Sequence, residues 1–154
     1  MSSQKRFPES ETFYASCVAH DGDAILLCGP SGSGKSMLAL QLMERGFSLV
    51  SDDRVLLDGP LVSPPSALEG LLEVRGVGIL RTPFVTNSRV ILKVLLGMQG
   101  DRLPTPEKDP QTGAVVLHIN GCLPGDSSRV MAAFQACRGT YDWVTGAGGD
   151  TAGI

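Results

Sequence analysis

The chain of 154 residues contains no apolar run near the ~18 residues that a membrane-spanning helix needs, so a helical anchor within it is not expected. It has no excess of positive charge either: 13 Lys and Arg stand against 16 Asp and Glu, giving a net charge of −3. Broad binding to nucleic acid or to an anionic membrane surface requires clustered cations, and both partners are excluded on that ground. The 4 cysteines, Cys17, Cys28, Cys122 and Cys137, form no C-x-x-C pair, and His20 and His118 have no partners at metal-binding spacing. A structural zinc site is therefore not expected. The thiols read as reduced packing residues of a cytoplasmic protein. His20, followed by Asp21-Gly22-Asp23, reads as part of a hairpin turn. The start, Met1 to Arg6, is basic but is not followed by the apolar stretch of a secretion signal, and no internal repeat is visible. With 42% hydrophobic and 19% charged residues, the composition suits one soluble folded domain.

The local patterns describe an α/β protein. Phe13 to Val18 alternates like a strand, and Ala24 to Cys28 is a continuous apolar run that reads as a strand buried on both faces. Lys35 to Arg45 carries Leu38, Leu42 and Met43 at helical spacing, with Gly46 as the C-cap. Phe47 to Val50 and Arg54 to Leu57 follow as strands, Leu61 to Glu69 as a loop, and Leu71 to Leu80 as a more ordered segment. Val90 to Leu96 and Ala114 to Ile119 are expected strands, separated by a proline-rich connection from Leu103 to Pro110. Ser127 to Cys137 is an expected helix with Asp126 and Ser127 as cap candidates. The domain is expected to span residues 1–145, with 146–154 as a disordered tail.

Between the second strand and the first helix lies Gly29-Pro30-Ser31-Gly32-Ser33-Gly34-Lys35-Ser36, which fits G-x-x-x-x-G-K-[ST]. Each fixed position has a mechanical task. The glycines let backbone N–H groups converge on phosphate oxygens, and the following helix presents its positive end to the same anion. Lys35 supplies a cation to the β and γ phosphates, and the Ser36 hydroxyl is a Mg²⁺ ligand. ATP and Mg²⁺ are therefore the expected cofactors.

Two acids follow at the end of the next strand, Asp52 and Asp53. A phosphate-transfer site needs a carboxylate to orient Mg²⁺ and a base near the acceptor oxygen, and this pair can divide those tasks. Mutual repulsion of adjacent carboxylates favours one of them as a proton acceptor. Glu73 and Arg75, two apart in a stretch expected to be extended, point the same way and can offer a metal ligand and a phosphate-binding cation, or a surface ion pair.

The order G-P-S-G-S-G-K-S, G-F-S-L-V-S-D-D-R-V and L-E-V-R-G-V-G-I-L resembles the catalytic domain of HPr kinase/phosphorylase, in its short alphaproteobacterial form. The resemblance covers Thr12 to Leu80. It implies a P-loop kinase-like domain with a central mixed sheet, related to phosphoenolpyruvate carboxykinase, and transfer of phosphate from ATP to a serine of an HPr-like phosphocarrier of the phosphotransferase system. Carried over by motif, Lys35 would bind phosphate, Ser36 and Glu73 would hold Mg²⁺, Asp53 would accept the proton beside Asp52, and Arg75 would belong to the catalytic segment. Longer relatives are hexamers, so homo-oligomer formation is a further expectation. The family's His before the glycine-rich loop is replaced here by Tyr14, and its later loop with a Gly-Arg pair has no counterpart after Leu96. Kinase activity is accordingly expected to outweigh phosphorolysis. Two other readings remain at this stage: an ATP-binding regulatory module with little turnover that binds a phosphocarrier or sensor-kinase partner, and a small-molecule kinase.

Overall fold

The computed structural model describes residues 11–149. Strands β1 (Glu11–Tyr14), β2 (Ser16–His20) and β3 (Asp23–Cys28) lead into helix α1 (Lys35–Met43). Then come β4 (Ser48–Ser51), β5 (Arg54–Asp58), β6 (Leu61–Ser63), a 3₁₀ turn (Ser66–Leu68), β7 (Leu71–Val74) and β8 (Gly78–Arg81). The described part closes with β9 (Ser88–Leu96), β10 (Val115–Ile119) and helix α2 (Asp126–Cys137).

Eight strands form one mixed sheet in the order β1-β5-β6-β9-β3-β2-β4, with β10 also paired to β9; β7 and β8 make a separate hairpin. Strand β9 runs parallel to β3 and β10, whereas β2 is antiparallel to both β3 and β4. Side chains alternate across β2 and β3 and so feed two cores. Val18, Ile25 and Leu27 face the helices, where they meet Leu38 and Leu42 of α1 and Val130 and Phe134 of α2. Cys17, Ala19, Ala24 and Leu26 face the other way, against Val55, Leu57 and Val62 from β5 and β6. The register with β3 slips at β9, where Ala24 is opposite Val90 but Ile25 is opposite Leu92. Ile91 is the extra residue, and the slip changes the parity of β9, so that Val90 joins one core and Leu92 and Val94 the other.

Several elements differ from the expected ones for nonlocal reasons. The stretch Phe13 to Val18 is broken at Ala15 because β1 pairs with β5 while β2 pairs with β3 and β4. The Ala15 N–H instead donates to the Asp53 carbonyl at 3.0 Å. Leu61 to Ser63, expected as loop, is strand β6, which spans β5 and β9 before Pro64-Pro65 ends it. Leu71 to Leu80 is a hairpin, so Glu73 lies on β7 while Arg75 lies in its turn, and the two do not share one extended stretch. Asp126 is inside the first turn of α2, whose N-cap is Gly125 with no side-chain cap bond. The expected tail begins in packed structure: Ala147 is buried, and its carbonyl accepts from the Glu107 N–H at 3.2 Å. Residues 150–154 lie outside the described residues.

The proline-rich connection is pinned at Asp109. Its carboxylate accepts from the Thr112 hydroxyl at 2.7 Å, the Thr112 N–H at 3.0 Å and the Lys93 ammonium at 3.2 Å. Burial disfavours the charged form, but the Thr112 donors and Lys93 outweigh it and hold the Asp109 pKa below the usual carboxylate value. A pKa lowered by folding contributes stability above the unfolded value of about 3.9, and that contribution is lost as pH falls through the folded pKa. Asp109→Asn is expected to cost about 1–3 kcal/mol at neutral pH, the scale of a charged hydrogen-bond set. Thermal melts of both proteins across the acid range should converge as pH falls; a constant gap would assign the cost to packing alone.

Candidate functional site

The segment from Gly29 to Gly34 joins the C-terminal end of β3 to the N-terminal end of α1, so the unpaired N–H groups of the helix face a cleft at the end of the sheet. Gly34 caps α1 at φ 102, a left-handed conformation that only glycine adopts freely. Within the loop the Ser33 N–H donates to the Pro30 carbonyl at 3.1 Å. The Lys35 ammonium rests on the loop itself, donating to the carbonyls of Gly29 at 2.8 Å and Pro30 at 3.1 Å.

Strand β4 delivers the two acids into different settings. Asp52 is 7% exposed and fully engaged. Its Oδ1 accepts from the Ser16 hydroxyl at 2.7 Å and the Ser36 hydroxyl at 2.8 Å, and its Oδ2 accepts from the Glu73 N–H at 3.1 Å. One carboxylate thus ties β2, α1 and β7 together. Asp53 adopts φ 74, an uncommon conformation for a non-glycine residue, and its exposed side chain lines the cleft. Its N–H donates to the Ser16 hydroxyl at 3.3 Å, and its carbonyl holds Ala15. The neighbouring acids are therefore not an equivalent pair: one is an internal tie and the other is presented to whatever enters.

The cleft measures about 830 Å³ and is lined by Gly29, Pro30, Ser31, Gly32, Gly34, Lys35 and Ser36 together with Asp52, Asp53, Glu73 and Arg75. The β7–β8 hairpin brings in Glu73 and Arg75, and β1 and β2 bring in Tyr14 and Ser16. Among the sequence-predicted residues, Ser33 does not line it. Its buried hydroxyl is the one buried side-chain polar atom without a hydrogen-bond partner among the described residues. Ser16 was not among the expected site residues; its burial and its bond to Asp52 exist only in the fold. His20 contacts Asp21 and the Gly46 carbonyl, and His118 pairs with Glu107; neither lines the cleft.

Residues 5–88, more than half of the chain, match the family described as the HPr Serine kinase C-terminal domain. The chain belongs to that family. A curated relative, the HPr kinase/phosphorylase of Clostridium tetani, is 43% identical over 77 residues, which are 47% of this chain and 25% of that protein. The chain therefore spans about a quarter of the length of that relative. The solved HPr(Ser) kinase/phosphatase of Coxiella burnetii shares the fold, with a TM-score of 0.67 over 84% of this chain and 97% of that one at 22% identity. The HPr serine kinase match includes the glycine-rich loop, both acids and the hairpin, and ends within β9 at Ser88.

The donor set suits a phosphate-bound hard cation. The oxygens that could face it are those of Ser36 and Glu73, both of which line the cleft, while no three His, Cys, Asp or Glu side chains among the described residues converge on one point. Mg²⁺ keeps few protein ligands and completes its shell with substrate phosphates and water, which matches a site of this kind. In the glycine-rich loop, a Cβ at Gly32 would meet nothing within 4 Å, so the loop leaves open space where an anion can approach its backbone.

Proposed function

We propose that the chain is an ATP- and Mg²⁺-dependent protein-serine kinase acting on an HPr-like phosphocarrier of the phosphotransferase system. The observation that carries this reading is the hydrogen bond from Ser36 to Asp52 in a cleft that is also lined by Lys35 and the exposed Asp53. The fold is read as a P-loop kinase domain related to phosphoenolpyruvate carboxykinase, working in the cytoplasm and able to form a homo-oligomer. In this reading the loop Gly29 to Ser36 binds the phosphates through those backbone N–H groups that remain free, Pro30 having none and Ser33 donating within the loop, together with the Lys35 ammonium. Ser36, with its proton given to Asp52, and Glu73 hold Mg²⁺, which neutralises phosphate charge when bound. Asp53 accepts the proton of the incoming serine hydroxyl, and Arg75 faces the charge that develops on the transferred group.

A second reading is an ATP-binding regulatory module with little turnover. It is favoured by the absence of a second cation from the late connection, since neither Arg102 nor Lys108 lines the cleft. The same feature supports kinase activity well above phosphorolysis. Incubation with labelled ATP, Mg²⁺ and an HPr-like phosphocarrier decides between them: acid-stable phosphoserine supports the kinase, and ATP binding without transfer supports the module.

Glu73→Gln is expected to shift the Mg²⁺ dependence of activity to higher concentration while metal-free ATP binding changes little. A neutral amide oxygen is a poorer ligand for a hard dication than a carboxylate. A Mg²⁺ titration that overlays the wild type would return Glu73 to a surface role.

A further inference from the structure

The glycine-rich loop is not held in shape by its own sequence alone. A second loop, Asn120 to Gly125, lies directly on it from outside the cleft. A Cβ on Gly34 would fall 2.7 Å from the Gly121 carbonyl oxygen, and a Cβ on Gly121 would fall 2.5 Å from the Ser33 carbonyl oxygen. Two glycines are thus in backbone-to-backbone contact, each needed because its neighbour leaves no room for a side chain. The Cys122 thiol adds a weak bond to the Ser33 carbonyl at 3.7 Å.

The second loop in turn hangs on one carboxylate. Asp126, only 2% exposed, accepts on Oδ2 from the N–H of Gly121 at 2.7 Å and the N–H of Leu123 at 2.9 Å. Its Oδ1 accepts from the Arg129 guanidinium at 3.2 Å. A buried carboxylate is costly without such partners, and here it also sits in the first turn of α2, where the helix end favours negative charge. The Gly97 N–H fixes the start of the loop by donating to the carbonyls of Ile119 and Asn120.

We propose that Asp126 is a positioning residue for the glycine-rich loop, acting through Gly121 to hold Ser33 and Gly34 where the loop N–H groups converge. The effect on ATP rests on the phosphate-binding reading given above; the effect on the loop does not. Asp126 lies 38 residues beyond the end of the family match at Ser88, 126 − 88, so the brace is supplied by the part of the chain outside that match.

The test compares Asp126→Asn, Gly121→Ala and Arg129→Gln with the wild type. Hydrogen exchange of the nucleotide-free proteins is read by mass spectrometry in peptides covering residues 29–36 and, as a reference, β3 and β9. Asp126→Asn presents an NH₂ group toward a backbone N–H or the guanidinium, and Gly121→Ala pushes on Ser33 while leaving Asp126 intact. Each is expected to speed exchange in 29–36 about 10-fold with the reference strands unchanged, and to weaken ATP binding by calorimetry about 10-fold, the scale of one charge-assisted bond. Arg129→Gln keeps both backbone bonds to Asp126 and should behave as wild type. Unchanged exchange in 29–36 for both of the first two variants, or an equal rise in every peptide, would overturn the proposal. Absence of ATP binding to the wild type would instead remove the kinase reading, and the exchange result would still decide the brace.

Discussion

Asp53→Asn should bind ATP within about twofold of wild type yet transfer phosphate ~10² to 10⁴ times more slowly, the usual share of a general base. The substitution is well matched to its position. Asp53 sits at φ 74, and asparagine tolerates the left-handed region at least as well as aspartate, so the backbone that holds Ala15 and Ser16 should be retained. What disappears is the capacity to accept a proton. Single-turnover phosphorylation at saturating ATP and Mg²⁺ is the appropriate measurement. Asp52→Asn should behave differently, because its carboxylate accepts three bonds from Ser16, Ser36 and Glu73, and an amide must turn its NH₂ toward one of those donors. That variant should lose about 1–3 kcal/mol of stability and weaken Mg²⁺ use. A larger loss of transfer rate in Asp52→Asn than in Asp53→Asn, under metal saturation, would reverse the two roles.

The contrast between these acids shows what was legible in the sequence and what was not. The strand, loop and helix from Ala24 to Arg45 were readable because each signal is local: an apolar run, glycines at fixed offsets and a 3.6-residue period. The observed elements, β3 and α1, fall within a residue or two of the expected bounds. The break at Ala15 was not readable, since it depends on β1 and β2 choosing different neighbours far along the chain. Ser16 escaped for the same reason, its partner being 36 residues away. The spacing of Asp52 and Asp53 could place them at a strand end but could not show that the chain turns between them and sends one inward. Glu73 and Arg75 do reach the expected cleft, by way of a hairpin turn and not by the shared face of one strand. Motifs of glycine and charge thus picked out residues that the fold gathers around one cleft, while the partners that orient them lay in long-range pairings.

Lys35→Ala is expected to lower ATP affinity by at least ~2 kcal/mol, about 30-fold, without unfolding the protein. The reasoning has two halves. Folding should survive because the ammonium bonds only the carbonyls of Gly29 and Pro30 in its own loop, and alanine is the best helix former for the first position of α1. Binding should suffer because, among the described residues, Lys35 and Arg75 are the only cations that line the cleft, and Arg75 lies in the hairpin turn, outside the glycine-rich loop. The backbone cradle would remain, with partial charges alone facing a polyphosphate. Lys35→Arg should restore little, since a planar fork longer than the ammonium stem cannot occupy the same point between the loop and the cleft. Calorimetry with ATP, alongside a thermal melt of each variant, separates the two halves. Equal ATP affinity in Lys35→Ala and wild type would end the reading of Gly29 to Ser36 as a phosphate site, whereas a collapsed melt would show that the two carbonyl bonds matter to the fold far more than their exposure implies.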